Sequence, residues 1–190
     1  PLYSSAASDV YKRQGIGISE KLFVFLSIAP SAFMSALSAF VAQNMGAGNP
    51  QRALRAMYVA QAISFACGIL TFSLTFFAGD FLASLFDGDP AVIQATAQYM
   101  RGSGFEYLMI PLSFCFLGYF NGRERTAFVM IQGLASAFFV RIPLSYYLSR
   151  LPGAGMFTIS LAVPAAGLLS LGMCLAYFLH IRRGEPLPGK

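Results

Sequence analysis

Two ionisable side chains stand inside otherwise apolar stretches, Glu106 and Arg141, and they are the residues best placed to do chemistry. A charge in the middle of a membrane helix costs roughly 2.5–3.5 kcal/mol on insertion scales, so it signals a partner or a function. Glu106 lies sixteen residues before Gly122, and Arg141 fifteen after Thr126. On antiparallel neighbouring helices both would sit about 23–24 Å from the shared turn, at matching depth. Three readings are open. The pair stitches two helices together as an ion pair. Glu106 also exchanges a proton or cation with an outward-facing cavity. Or the two face different ways, with Glu106 in the outer headgroup layer.

Other polar groups at membrane depth are Gln61 and Gln132, each suited to an interhelical hydrogen bond or to a substrate contact. The aromatic load is high, with 19 Phe and 9 Tyr. Phe33, Phe40, Phe105, Tyr107 and Tyr119 are candidates to line a cavity for flat cations, which aromatic faces attract. The competing role is packing or lipid contact. Cys67, Cys115 and Cys174 each sit in apolar surroundings with no metal-ligand spacing and read as small core hydrophobes. No HExxH, GxSxG or aspartate-pair motif falls in an apolar stretch, so an intramembrane enzyme is not expected.

The elements that must position these residues are membrane helices. Hydrophobic residues make up 56% of the chain and charged residues 11%, with a mean hydropathy of +0.62. Soluble domains carry about 25% charged residues. An all-α polytopic bundle of about five spans is expected, at roughly 20 residues per span. The apolar runs place them at about 22–45, 56–78, 102–120, 127–148 and 156–181. Pro30, Pro111, Pro143 and Pro164 fall within them and each removes one helical hydrogen bond. Between the first two runs lies Gln43-Asn44-Met45-Gly46-Ala47-Gly48-Asn49. Gly46 and Gly48 can take positive φ and end a helix. Asn49 reads as an N-cap with Pro50 behind it, and Asp89-Pro90 repeats that logic.

Residues 1–14 are polar and aperiodic and resemble translated adaptor sequence, so they are set aside as a non-native leader. Residues 15–183 form the expected transmembrane bundle and 184–190 a polar tail. The net charge of +5 is not a nucleic-acid signal, because the basic residues lie in short turns and the tail. Arg52, Arg55, Arg123, Arg125, Arg182, Arg183 and Lys190 fall on one side; Asp80, Asp87 and Asp89, with Arg101 and Arg150, fall on the other. The positive-inside rule makes the first side, and the C-terminus, cytoplasmic. With no initiating Met and an odd number of spans, a partial chain is expected.

The Gln43–Asn49 loop followed by Arg52-Ala53 resembles the loop after the second span of each half of the multidrug and toxic compound extrusion (MATE) transporters. Tyr119-Phe120-Asn121-Gly122-Arg123-Glu124-Arg125-Thr126 resembles a later loop of that family, though Arg123-Glu124 stand where a Gly and a small or polar residue are usual. Val140-Arg141-Ile142-Pro143-Leu144-Ser145-Tyr146 resembles its penultimate span. The resemblance implies the last five spans of a six-helix half, with the N-terminal half missing. It implies antiport of small cationic or aromatic drugs against sodium or protons in a bacterial cytoplasmic membrane, with no cofactor beyond the coupling ion. Sodium-coupled members carry an acid in the third span here, at a position nearer Ile110 than Glu106. A lipid-linked oligosaccharide flippase of the same superfamily, or a non-transporting membrane assembly fragment, is the alternative; a flippase would need a more basic cavity than Arg141 alone provides.

Overall fold

The computed structural model describes residues 2–151 and 155–184. The described residues form helices joined by short turns, in agreement with the all-α expectation. Ten α-helices follow in order: α1 (Leu2–Leu26), α2 (Ile28–Gly46), α3 (Pro50–Phe77), α4 (Gly79–Ser84), α5 (Pro90–Ser103), α6 (Glu106–Gly122), α7 (Thr126–Ser136), α8 (Ile142–Ser149), α9 (Met156–Ser160) and α10 (Ala162–Gly184). A π-helical turn, Ala137–Arg141, joins α7 to α8. The tail from residue 185 onward, and residues 152–154 of the turn after Ser149, lie outside the described residues.

Four helical stretches are long and apolar enough to cross a membrane: Val10–Gly46, Pro50–Phe77, Thr126–Ser149 and Met156–Arg183. Four of the five expected spans therefore stand on their own. The one expected at 102–120 is divided instead. Gly104 and Phe105 separate α5 from α6, and α6 alone, with 17 residues, rises only about 26 Å. The chain is a multi-pass membrane protein. The expected leader is also helical from Leu2 and runs without interruption into the residues set down as the first span. The interruption comes at Ser27. Pro30, three residues on, has no amide hydrogen to offer the preceding turn, which loosens the helix there.

The helices pack around α6, which touches α2, α3, α7 and α10. Close approach depends on glycine. A Cβ on Gly118 would fall 2.6 Å from the carbonyl oxygen of Met34, and one on Gly122 would fall 2.5 Å from that of Ser38. These two glycines, four apart on one face of α6, let α2 lie directly on its backbone, as small residues do between membrane helices. Around this seam Val41, Met57, Cys115, Phe120 and Cys174 are fully buried, so the cysteines at 115 and 174 are core residues.

The two turns at this end share one hydrogen-bond pattern. After α2, the Asn49 amide donates to Asn44 O (2.8 Å) and the Gly48 amide to Met45 O (3.1 Å), with Gly48 at φ +71°. After α6, the Arg125 amide donates to Phe120 O (2.9 Å) and the Glu124 amide to Asn121 O (3.0 Å), with Glu124 at φ +61°. Both are Schellman closures. Gly46 needs no positive φ and remains the last residue of α2. Asn49 does hold the N-cap position before Pro50, but its side chain makes no cap bond and donates back to Ala47 O at 3.2 Å. Asp89 is the working cap: its carboxylate accepts from the Ala91 amide at 2.8 Å.

The basic turns gather at one end of the bundle. There Arg52 lies over Phe40, Arg123 over Tyr119 and Arg182 over Phe178, at 5.6, 5.4 and 5.9 Å to the ring centroids. The far end carries the acidic turn, with Arg101 and Asp80 paired at 2.7 Å on its exposed surface.

Candidate functional site

Glu106 is the first residue of α6, immediately after the break at Gly104 and Phe105. The break is held locally: the Gly104 amide still donates to Met100 O (2.7 Å), and Gly104 O accepts from the Tyr107 amide (2.9 Å). As a first-turn carboxylate, Glu106 stands at the positive end of the helix dipole. Glu106 Oε2 is nonetheless buried and makes no hydrogen bond to a described residue. The side chain runs against α10, where a Cβ on Gly167 would come 3.6 Å from Glu106 Cγ.

Arg141 closes the π-helical turn. The Ile142 amide there donates five residues back, to Ala137 O. Pro143 is the local cause, since it offers no amide and its ring crowds the carbonyl of Phe139 in a regular α-turn. The wider turn relieves that crowding and shifts the bearing of Arg141.

Glu106 and Arg141 are brought into one neighbourhood but do not form the ion pair considered above. Among the described residues no guanidinium nitrogen of Arg141 lies within 4.0 Å of the Glu106 carboxylate. The Arg141 charge acts on Glu106 across a gap. The gap exists because Arg141 is exposed and reaches over a cavity rather than into the helix interface. That cavity, of about 190 Å³, is lined by Ser19, Glu20, Tyr99, Ser103, Arg141 and Val163 among others. Polar side chains from α1 (Ser19, Glu20), α5 (Tyr99, Ser103) and the π-turn (Arg141) thus line one small space, and the Glu106 charge acts on Tyr99 from outside its lining. It lies in the half of the bundle opposite the basic turns.

Glu20, Tyr99 and Ser103 were not singled out by the sequence. Glu20 reads as the polar edge of a span starting at Leu22. The signal that it lies within a helix is that no proline falls between Gln14 and Leu26, and α1 runs through Gly15 and Gly17. Tyr99 and Ser103 sit four apart on the face that α5 turns toward α1.

The remaining sequence candidates scatter. Gln132 is buried on α7, and its amide nitrogen Nε2 donates to Ser170 Oγ of α10 at 2.8 Å; this is the interhelical role. Its Oε1 is buried without a partner. Tyr107 is 5% exposed, with its ring 5.8 Å from that of Phe23, and Tyr119 is 2% exposed within the core. Neither is among the residues lining the cavity below Arg141. Phe33 and Gln61 are half-buried on α2 and α3, away from the Glu106 cluster. Gln43 is exposed, while Asn44 is buried and donates to Phe40 O at 2.7 Å, tying the turn to α2.

With this geometry in view, the comparisons with known proteins are direct. A model of the MatE family matches residues 14–147, and the chain belongs to that family of membrane transporters. The family is the one the loop motifs resemble. The chain is also similar to the FAD transporter of Shewanella oneidensis, at 31% identity over 172 residues. That alignment covers 90% of this chain and 37% of the relative, so the chain spans little more than a third of the relative's length. No solved structure matches.

Proposed function

We propose that this bundle is the ion-coupling part of a secondary transporter that exports an aromatic organic solute across a bacterial inner membrane in exchange for sodium or protons. The observation that carries the reading is Glu106, a carboxylate with a buried oxygen that has no partner among the described residues, at a helix break. Broken membrane helices are where transporters hold their coupling ions. Arg141 tunes the site from across the cavity, and Glu20 and Tyr99 complete its polar wall. In a protein of the relative's full length, this bundle would rock against a second one. Cation capture by Glu106 would favour the outward-open state and lower its affinity for the solute. Such coupling requires the cation to bind the two states unequally.

Two cargo classes remain in play. A flat cationic drug would compete with the cation for the negative field of Glu106, which gives antiport directly. A flavin dinucleotide is the second reading, favoured by the 31% identical relative named as an FAD transporter. The test is Glu106→Gln in the full-length gene, with efflux of a cationic dye and release of FAD to the medium measured in parallel. The variant should reach the membrane at normal levels and lose the cation dependence of whichever cargo is genuine. Unaltered efflux with unaltered cation dependence would remove Glu106 from the mechanism.

A further inference from the structure

We propose that the furrow between α3 and α10 is a binding site for an anionic phospholipid, its phosphate held by Arg55 and Arg182 at the basic end of the bundle. Both helices pack against α6 but not along each other, so a seam is left between them. They meet near its mouth, where Arg182 Nη1 donates to the Tyr58 hydroxyl at 3.3 Å and the Tyr58 ring stands edge-on to Phe178, 6.4 Å between centroids. That contact fixes a guanidinium at the edge of the apolar zone. Arg55 lies three residues before Tyr58, hence on the same face of α3 one turn nearer the water. Both arginines are exposed, and among the described residues neither is paired with a carboxylate.

Below this mouth the walls turn apolar and stay open. Phe65 continues the Tyr58 face of α3, and Leu175 and Leu179 continue the Arg182 face of α10; all three are exposed. Gln61 lies one turn deeper than Tyr58 on the same face, half-buried and without a hydrogen bond to a described residue. Its amide sits at the depth of a glycerol ester once the phosphate is on the arginines. Two guanidiniums suit a phosphate, an amide suits an ester carbonyl and an apolar seam suits an acyl chain. That order, read from water to lipid, is the order of groups in a phospholipid. A zwitterionic lipid would bring an ammonium beside the arginines, so the charge selects an anionic headgroup.

The experiment uses the full-length transporter, purified and exchanged into mixed micelles of phosphatidylglycerol and phosphatidylcholine, with retained lipid counted by native mass spectrometry. Wild type should prefer phosphatidylglycerol, and R55Q/R182Q should reduce that preference about 30-fold, near fivefold for each basic residue. R125Q/R183Q removes the same charge from the same end and should leave the preference intact. Equal losses in both double variants would mean diffuse attraction only and would overturn the site, as would a preference kept by R55Q/R182Q. Tyr58→Phe keeps every charge but frees Arg182, and should lower the preference several-fold. It provides the same reading if the double variant is not monodisperse, and an unchanged preference in it would count against the site.

Discussion

The carbonyl oxygen of Tyr107 faces the Cα of Gly68 so closely that a Cβ on that glycine would lie 2.5 Å from the oxygen and 2.7 Å from Pro111 Cγ. Tyr107 is four residues before Pro111, so its carbonyl has lost the amide that would normally bond it in α6. Gly68 lets α3 move in over that bare carbonyl, and a Cα–H contact partly replaces the missing donor. The kink and the glycine are thus complementary parts of one contact.

Gly68→Val should therefore force α3 away from α6. Overpacking of this kind costs typically 1–3 kcal/mol. A detergent unfolding titration should show that loss. Gly172→Val on α10, where a Cβ meets no atom within 4 Å, should show almost none. Equal effects at the two sites would mean that the α3–α6 contact is not tightly packed.

Much of the fold is legible in the residues because membrane helices are long, apolar and punctuated. Pro30 and Pro143 mark real irregularities, at Ser27 and at the π-helical turn. Asp89-Pro90 announces its cap correctly. What escapes is side-chain bearing. Asn49 has the same local signature as Asp89, but the Arg52 amide donates to its backbone oxygen at 3.1 Å and its side chain points back at Ala47. Glu106 and Arg141 share a depth by residue count, yet the π-turn changes the bearing of Arg141 and leaves a gap where counting alone permits an ion pair. Tyr107 and Tyr119 look like cavity aromatics by type and are core residues by packing. Glu20 is hidden for the opposite reason: polar neighbours make it look like a boundary when it is inside a continuing helix.

Glu124 supplies a stabilising substitution. It is the one described non-glycine residue with positive φ, and it occupies the turn position that Gly48 holds after α2. The left-handed region costs an L-residue roughly 1–2 kcal/mol. Glu124→Gly gives back part of that to unfolded-chain entropy, so a net gain of about 0.5–1 kcal/mol is expected. A raised thermal midpoint of the purified protein would report it. A fall would mean that the Glu124 carboxylate makes a contact worth more than the backbone strain.

The Gln132–Ser170 bond invites a double-mutant cycle. Interhelical hydrogen bonds in membranes average about 0.6 kcal/mol of coupling, with a maximum near 1.7 kcal/mol. Gln132→Leu removes the donor and also the buried, partnerless Oε1. Its cost should therefore be smaller than that of Ser170→Ala, which leaves the whole amide stranded. A Gln132→Leu variant as stable as wild type, with a clearly weakened Ser170→Ala, is the expected pattern in unfolding titrations. The reverse order would show that Gln132 meets a further partner in the complete protein.

Orientation can be read chemically. Arg52, Arg123 and Arg182 sit at one end of the bundle, and the positive-inside bias assigns that end to the cytoplasm. A cysteine placed at exposed Ala47, in a background lacking the native cysteines, should react with an impermeant maleimide only after the cells are opened. A cysteine at exposed Gly88, in the acidic turn, should react in intact cells. Labelling of Ala47→Cys from outside would invert the bundle and place the Glu106 cavity on the cytoplasmic half.

Pro143 links helix geometry to transport. A proline in a helix interior costs about 3 kcal/mol in a regular helix, and the π-turn at Ala137–Arg141 is the form in which α7 and α8 accommodate it. Pro143→Ala restores the missing amide and removes the reason for the wide turn. The turn would then tighten by one residue, and Arg141 would swing about 100° around the helix, the angle one residue subtends. The cavity lined by Glu20 and Tyr99 would lose its guanidinium while the helix became more stable. The expected result is a raised unfolding midpoint together with a higher KM for the exported solute, in the full-length protein. Arg141→Gln should raise KM in the same direction without the gain in stability. A stabilised Pro143→Ala variant that transports normally would show that the bearing of Arg141 is a consequence of the proline alone, with no part in handling the solute.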